Sequence, residues 1–140
     1  VTHDFGTAGV KTIRITGDFP QVIFKNNSDV KKLISIDQWG SYPWSSMREA
    51  FRYASNLVNN AADTPNLSVC SDLTGMFNGA SLIGSSSETS NWNWNTSNIS
   101  DMDSMFIGAS SFNQNIGSWN TTNVSRMPLM FSHADSLIKI

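Results

Sequence analysis

A single pattern of apolar residues occurs four times between residues 44 and 137, and it constrains the fold more than any other feature. Each copy centres on a phenylalanine, and Phe51, Phe77, Phe106 and Phe131 are 26, 29 and 25 residues apart. Apolar positions recur in each copy at offsets of three, three, one, three and three residues, with an alanine three positions after the phenylalanine. Because one copy cannot bury such a stripe alone, neighbouring copies are expected to stack on each other.

Apolar spacings of three residues favour one face of a short α-helix or 3₁₀ helix. The stretch that follows each helical piece, such as residues 112–119, is then expected to form a strand, and one strand per copy would build a parallel ladder. The pattern therefore predicts an α/β-type repeat solenoid, leucine-rich-repeat-like, with one short strand and one short helix per repeat. About four repeats of 25–29 residues fill residues 39–140, and residues 84–90 add a polar surface loop to the second copy.

Both ends of the chain depart from the repeat. Residues 11–16 alternate between polar and apolar side chains, and residues 21–24 and 32–36 are short β-type runs. Residues 1–38 are therefore predicted to be a β-rich N-terminal capping segment. Residues 137–140 are mostly apolar with no polar cap after them, which predicts either an excerpt of a longer array or a homodimer through an open C-terminal edge.

The composition bounds the functions that this chain can have. The net charge is −2 and only 14% of the residues are charged, so a basic surface for nucleic acid is not expected. No apolar run approaches the roughly 20 residues of a membrane span. One cysteine and two histidines leave little material for metal or acid–base chemistry, so we expect no cofactor and no enzyme activity.

The sequence MFIGASSFNQNIGSWNTTNVSRM at residues 105–127 resembles the bacterial surface protein repeat of about 26 residues. That repeat belongs to the BspA-like leucine-rich repeats, which occur in surface proteins of mycoplasma, Listeria and marine bacteria. Residues 17–20 and 33–40 also resemble the segment that precedes such repeats in larger surface proteins. The resemblance implies a module on the bacterial cell surface or secreted, assigned to adhesion or partner binding, and it carries no catalytic residues.

Trp92 is the residue most suggestive of a ligand site. It has no counterpart in the next copy, where Gly117 takes its place, and it lies between Asn91 and Asn93 beside the polar loop. An exposed indole flanked by amides can stack on a sugar ring and hydrogen-bond to it. This hypothesis requires Trp92 to be at least partly exposed, and local packing is the competing interpretation.

Two other groups of polar residues suggest chemistry only faintly. Asp101 and Asp103 are reminiscent of a calcium loop, but the further oxygen ligands are missing, and acidic residues are also favourable where a helix begins. His133 and Asp135 lie near serines, but a hydrolase triad needs converging geometry that abundance of serine does not supply. His133 occupies the position of glycine in two other copies, so a turn residue is the stronger interpretation.

The remaining sulfur and aromatic residues are predicted to be structural. Cys70 and the methionines occupy the apolar stripe and are expected in the core. Trp94 and Trp119 are equivalent by repeat and are expected to stack along the array.

The sequence favours a non-catalytic binding or adhesion module whose partner is a protein or a glycan at the cell surface. The contact region is expected around the strands and residues 84–92. A carbohydrate-binding module centred on Trp92 is the first alternative, and a structural spacer that carries other domains away from the surface is the second.

Overall fold

The structure, a computed structural model, describes residues 6–24 and 28–136. It contains one 3₁₀ helix, Ser28–Lys32, and two strands, β1 (Ser35–Ile36) and β2 (Val58–Asn59). The strands pair in parallel, with Ser35 opposite Val58 and Ile36 opposite Asn59. Most of the remaining described chain consists of turns and irregular segments.

The predicted α/β solenoid of the leucine-rich-repeat type is wrong. The described residues contain no α-helix, and their only sheet is the two-stranded β1–β2 pair. The segments expected to be helical are runs of consecutive turns, at residues 46–54, 72–80, 101–109 and 126–134, which we call the turn segments. Residues 112–119 form no strand, and parallel bridges instead join Asp72 to Asp101 and Asp101 to Arg126.

Backbone geometry explains why the turn segments are not helices. In the first one, Ala50 N–H donates to the carbonyl of Met47, Arg52 to Glu49, and Ala54 to Phe51. Glu49 and Tyr53 have φ angles of 53° and 64°, each at the third position of such a turn, where a type II turn requires positive φ. Equivalent positions in the other three segments also have positive φ, at residues 75, 79, 104, 108, 129 and 133. A right-handed helix cannot contain such residues.

The backbone N–H groups between these turns bond to the next turn segment. Residues 47, 49, 51 and 53 donate to the carbonyls of residues 72, 74, 76 and 78, over 2.7 to 3.1 Å. The same four bonds recur at the next two junctions. Asp72 C=O and Leu73 N–H belong to one trans peptide unit and point in opposite directions. Each such unit therefore accepts from the preceding segment and donates to the following one, which gives the stack a polarity.

Aromatic rings fill the centre of the stack. Phe51, Phe77, Phe106 and Phe131 form a continuous column with centroid separations of 5.8, 5.7 and 5.7 Å. The alanine three residues after each phenylalanine, at positions 54, 80, 109 and 134, is buried, as expected for layers that approach closely. Trp94 and Trp119 stack at 5.4 Å, which confirms their predicted alignment along the array.

The residues before the first turn segment cover its phenylalanine, but they are not β-rich. The described residues before position 39 contain only the 3₁₀ helix and β1, and residues 11–16 form no strand. Phe24 and Trp39 pack on Phe51 at 6.3 and 6.0 Å, and Ser45 N–H donates to the carbonyl of Pro20. The division at residue 38 stays a prediction, and the predicted C-terminal edge at residues 137–140 lies outside the described residues.

Candidate interaction surface

Trp92 lies in the core, so the expected exposure of its indole is wrong. Only 3% of the residue is exposed. Its ring stacks on Trp94 at 5.0 Å and meets the edge of Phe112 at 5.2 Å, and its carbonyl accepts a 2.7 Å hydrogen bond from the indole N–H of Trp119. One ring face lies on Trp94 and almost none of the residue is exposed, so no face is free for a sugar ring, and local packing is the interpretation that the structure supports.

Asn91 and Asn93 remain exposed beside this buried indole. The Asn91 side-chain oxygen accepts the backbone N–H of Asn93 at 2.9 Å, and the Asn91 carbonyl accepts the indole N–H of Trp94 at 3.1 Å. Asn91 thus forms an Asx turn, and the tryptophans on either side of Asn93 are buried. The Asn93 amide forms no internal hydrogen bond in the described structure and is available to a partner.

Glu88 anchors the polar loop of residues 84–90, a role that the sequence did not indicate. One carboxylate oxygen accepts the backbone N–H groups of Asn59 at 3.1 Å and Gly84 at 2.9 Å. Burial raises the pKa of Glu88 above its ordinary value, although these hydrogen bonds act in the opposite direction. The sequence feature that could have indicated this role is that Glu88 is the only acidic residue among residues 84–90.

Two connecting segments, residues 84–95 and 112–122, lie side by side and present uncharged polar groups. Asn113 N–H donates to the carbonyl of Gly84, and the Gln114 amide donates to the carbonyl of Ser85 at 2.6 Å. Several exposed side chains on these segments make no internal hydrogen bond within the described structure. They form what we call the polar connecting surface: Ser86, Thr89, Asn93, Asn113, Ser118, Thr121 and Thr122.

The asparagines of the Asn-Thr-Ser and Asn-Thr-Thr motifs build the turns next to this surface. The side-chain oxygens of Asn95 and Asn120 accept the backbone N–H groups of Ser97 and Thr122. Asn123 donates its amide to the carbonyl of Ser97 in the preceding repeat, at 2.6 Å. These amides are therefore structural, because they close turns and join layers. Of the threonines that follow Asn95 and Asn120, Thr96 is buried and donates its hydroxyl to the Asn120 carbonyl, whereas Thr121 is exposed.

Asp101 and Asp103 belong to a charged edge rather than to a calcium loop. The Asp101 carboxylate accepts the Asp103 backbone N–H at 2.9 Å, and Arg126 pairs with both carboxylates at 3.2 Å. The Ser104 hydroxyl, and next the Arg126 guanidinium, lower the pKa of Asp103. No group of three or more His, Cys, Asp or Glu side chains in the described parts of the chain is placed to hold a metal ion.

The other predicted sites are structural. His133 is an exposed turn residue with a φ of 58°, which confirms its equivalence to the glycines at positions 79 and 108. Cys70 is buried, as predicted, and burial raises the pKa of its thiol. Five methionines are buried as expected, and Met127 is not.

Comparison with known families places the chain in a group of bacterial proteins. A family described as "Mycoplasma protein of unknown function, DUF285", the BspA-like repeat family, matches residues 45–139. The match spans more than half of the chain. This chain belongs to that family. The match begins at residue 45, next to the first turn segment, so all four turn segments fall within it.

Neither the curated proteins nor the solved structures contain a match to this chain. Within the ranges that the structure describes, there is no helix whose length and apolar character suit it to crossing a bilayer. The functional assignment therefore depends on the surface itself.

Proposed function

We propose that this chain is a non-catalytic binding or adhesion module of a bacterial protein located on the cell surface or secreted. We also propose that its copies are the bacterial surface protein repeat of about 26 residues. The observation that carries the functional proposal is the polar connecting surface, where uncharged hydroxyl and amide groups recur on adjacent segments over a rigid aromatic core.

Repetition suits such a surface to recognition by many weak contacts. Asn113 and Thr122 lie on one connecting segment, and Asn93 lies on its neighbour, so a partner that spans both can bind several groups at once. Neutral polar groups lose little conformational freedom on a rigid scaffold, and small contributions multiply when modules are linked. A protein or a glycan at the cell surface would meet these groups with its own hydroxyl and amide groups.

The test is a binding screen of the chain against immobilised glycans and host or matrix proteins. The variants Asn113→Lys and Thr122→Lys change exposed side chains that make no hydrogen bond to the other described residues. We expect each to weaken binding at least about tenfold, which corresponds to about 1.4 kcal/mol. Ser71→Lys is the matched control, since Ser71 is also exposed but lies next to the charged edge of the stack.

Each outcome has a defined meaning. Saturable binding that both surface variants lose and the control keeps would support the proposal. If none of the three variants changes binding, the contact lies outside the polar connecting surface. A folded sample that binds neither class of partner would favour the structural spacer.

A further inference from the structure

The polar loop of residues 84–90 depends on one side chain for its contact with the preceding layer. Within residues 86–90, the only backbone–backbone hydrogen bond in the described structure is a local turn, from Glu88 N–H to the Ser85 carbonyl at 3.0 Å. Glu88 Oε1, in contrast, accepts the N–H of Asn59 in β2, 29 residues earlier in the chain, at 3.1 Å. The same oxygen accepts the N–H of Gly84 at 2.9 Å, so it joins the start of the loop to the preceding layer.

The two carboxylate oxygens of Glu88 have different surroundings. Oε1 accepts both backbone N–H groups, whereas Oε2 accepts only the Ser90 hydroxyl, at 3.4 Å. The Trp92 indole also acts on this carboxylate, and none of the groups in the described structure that shift its titration is charged. A proton on Oε2 therefore leaves both backbone hydrogen bonds intact, because the Ser90 hydroxyl can accept as well as donate.

Burial decides which protonation state the closed loop prefers. Glu88 is half-buried, and this burial raises its pKa although the hydrogen-bond donors around it lower the pKa. Opening the loop returns the carboxyl group to water and to its ordinary pKa of 4.5, so the closed loop binds the proton more tightly. Closure is therefore most favourable below pH 4.5, and it becomes less favourable as the pH rises through the raised pKa.

The same loop carries part of the polar connecting surface. Ser86 and Thr89 are exposed and lie on either side of Glu88 in the chain. The next residue of that surface, Asn93, lies between two buried tryptophans, so the core fixes its place on the stack. Opening of the loop would therefore move Ser86 and Thr89 relative to Asn93 and change the spacing of the groups that face a partner.

We propose that protonation of Glu88 stabilises the closed polar loop and thereby controls how well Ser86 and Thr89 are positioned for a partner. Binding at the polar connecting surface is then tighter at acidic than at neutral pH, because a closed loop loses less conformational freedom when a partner binds. This effect on binding rests on the function proposed above. The response of the loop to pH does not, and it can be measured with no partner present.

The test follows amide hydrogen exchange of the 140-residue chain by NMR from about pH 4 to about pH 8, with rates corrected for the intrinsic pH dependence of exchange. The amides of Asn59 and Gly84 report on the loop, since both donate to Glu88. The amide of Gly117 is the internal reference, because it donates to the side-chain oxygen of Asn115 at 2.9 Å, outside the loop. Glu88→Gln keeps an oxygen acceptor but does not titrate, and Glu88→Ala removes the acceptor.

Asp63→Asn is the matched control variant. Asp63 is also half-buried, and its carboxylate accepts the backbone N–H groups of Trp39 at 3.0 Å and Gly40 at 2.9 Å. This variant therefore removes a carboxylate with similar hydrogen bonds from a position outside the polar loop.

We expect the protection of the two reporter amides, relative to Gly117, to fall in the wild type as the pH rises above 4.5. Asp63→Asn should show the same fall, and Glu88→Gln should show none. Glu88→Ala should lower this protection at least about tenfold in acid, because both N–H groups lose their acceptor. Protection that does not change with pH in the wild type, or that falls equally in Glu88→Gln, would overturn the proposal and leave the binding function standing. A chain that captures no partner in the binding screen would refute the binding function alone.

Discussion

Replacing Gly84 with alanine tests the packing of the polar loop against the aromatic core. Gly84 has a φ of +66°, and a Cβ added there would lie 2.2 Å from Cδ2 and 2.6 Å from Cε2 of Phe112. The Phe112 ring is fully buried and lies 4.1 Å from the ring of Phe106, so it has little room to move. Gly108 has the same φ of +66°, but its nearest contact would be an ordinary 3.8 Å, which makes it the matched control.

The two variants separate backbone strain from the clash. Left-handed backbone costs an alanine about 1–2 kcal/mol, and the smaller unfolded-state entropy of alanine offsets about 0.4–1 kcal/mol of this. Gly108→Ala should therefore lower the free energy of unfolding by about 1 kcal/mol. Overpacking a core adds about 1–3 kcal/mol, so Gly84→Ala should lower it by about 2–4 kcal/mol. At about 3 °C per kcal/mol for a chain of this size, the melting temperatures should differ visibly.

Urea denaturation followed by tryptophan fluorescence gives the two free energies. The same pair is then measured with Phe112→Val, which removes both clashing ring carbons. In the Phe112→Val background, Gly84→Ala should lower the free energy of unfolding by no more than Gly108→Ala does. The coupling energy between position 84 and Phe112 should therefore be about 1–3 kcal/mol. Equal effects of both alanines in the wild-type background, or an unchanged difference with Phe112→Val, would refute the packing argument.

Three further predictions concern the loop, a turn and the buried indole. Burial raises the pKa of Glu88, so the contribution of this side chain to stability is fully present below pH 4.5, its ordinary pKa, and is lost as the pH rises through the raised pKa. Urea titrations at a series of pH values should therefore show the stability of the wild type falling relative to Glu88→Gln as the pH rises above 4.5. His133→Gly relieves the strain of a positive φ on a residue that carries a Cβ, and it should raise the free energy of unfolding by about 0.5–1 kcal/mol, checked by thermal melting. Trp92→Ala should lower the free energy of unfolding by about 3–5 kcal/mol, whereas an unchanged urea midpoint would mean that the indole is not part of the core.

The register of the repeat and the identity of the core follow from the sequence. The shared offsets around Phe51, Phe77, Phe106 and Phe131 predicted most of the buried side chains and the stacking of the copies, and the structure confirms both, although Met127 in the last copy is exposed. The reason is that burial of apolar area is non-directional and depends mainly on which residues recur on one side of the chain. The turn role of His133 was predictable for a related reason, since glycine occupies the same position in two other copies.

The local conformation of each copy was decided by tertiary structure. Spacings of three residues fit a helix and equally fit consecutive turns closed between residues three apart. Whether a copy forms a helix or consecutive turns depends on where the N–H groups of residues such as Phe51 and Phe77 find acceptors. These acceptors lie on the next turn segment, 24 or more residues away. No local pattern contains that information.

The burial of Trp92 is a second feature that the local sequence could not predict. Its sequence neighbours are amides and a polar loop, and these favour exposure. Its spatial neighbours are Trp94 and Phe112, and Glu88 fixes the loop by bonding to Asn59 and Gly84. The sequence by itself determined a stacked repeat with an aromatic core, because the repeat fixes which side chains must be buried together. Only the tertiary structure decided which polar groups remain free for a partner, because hydrogen bonds between layers are directional and use up most of the others.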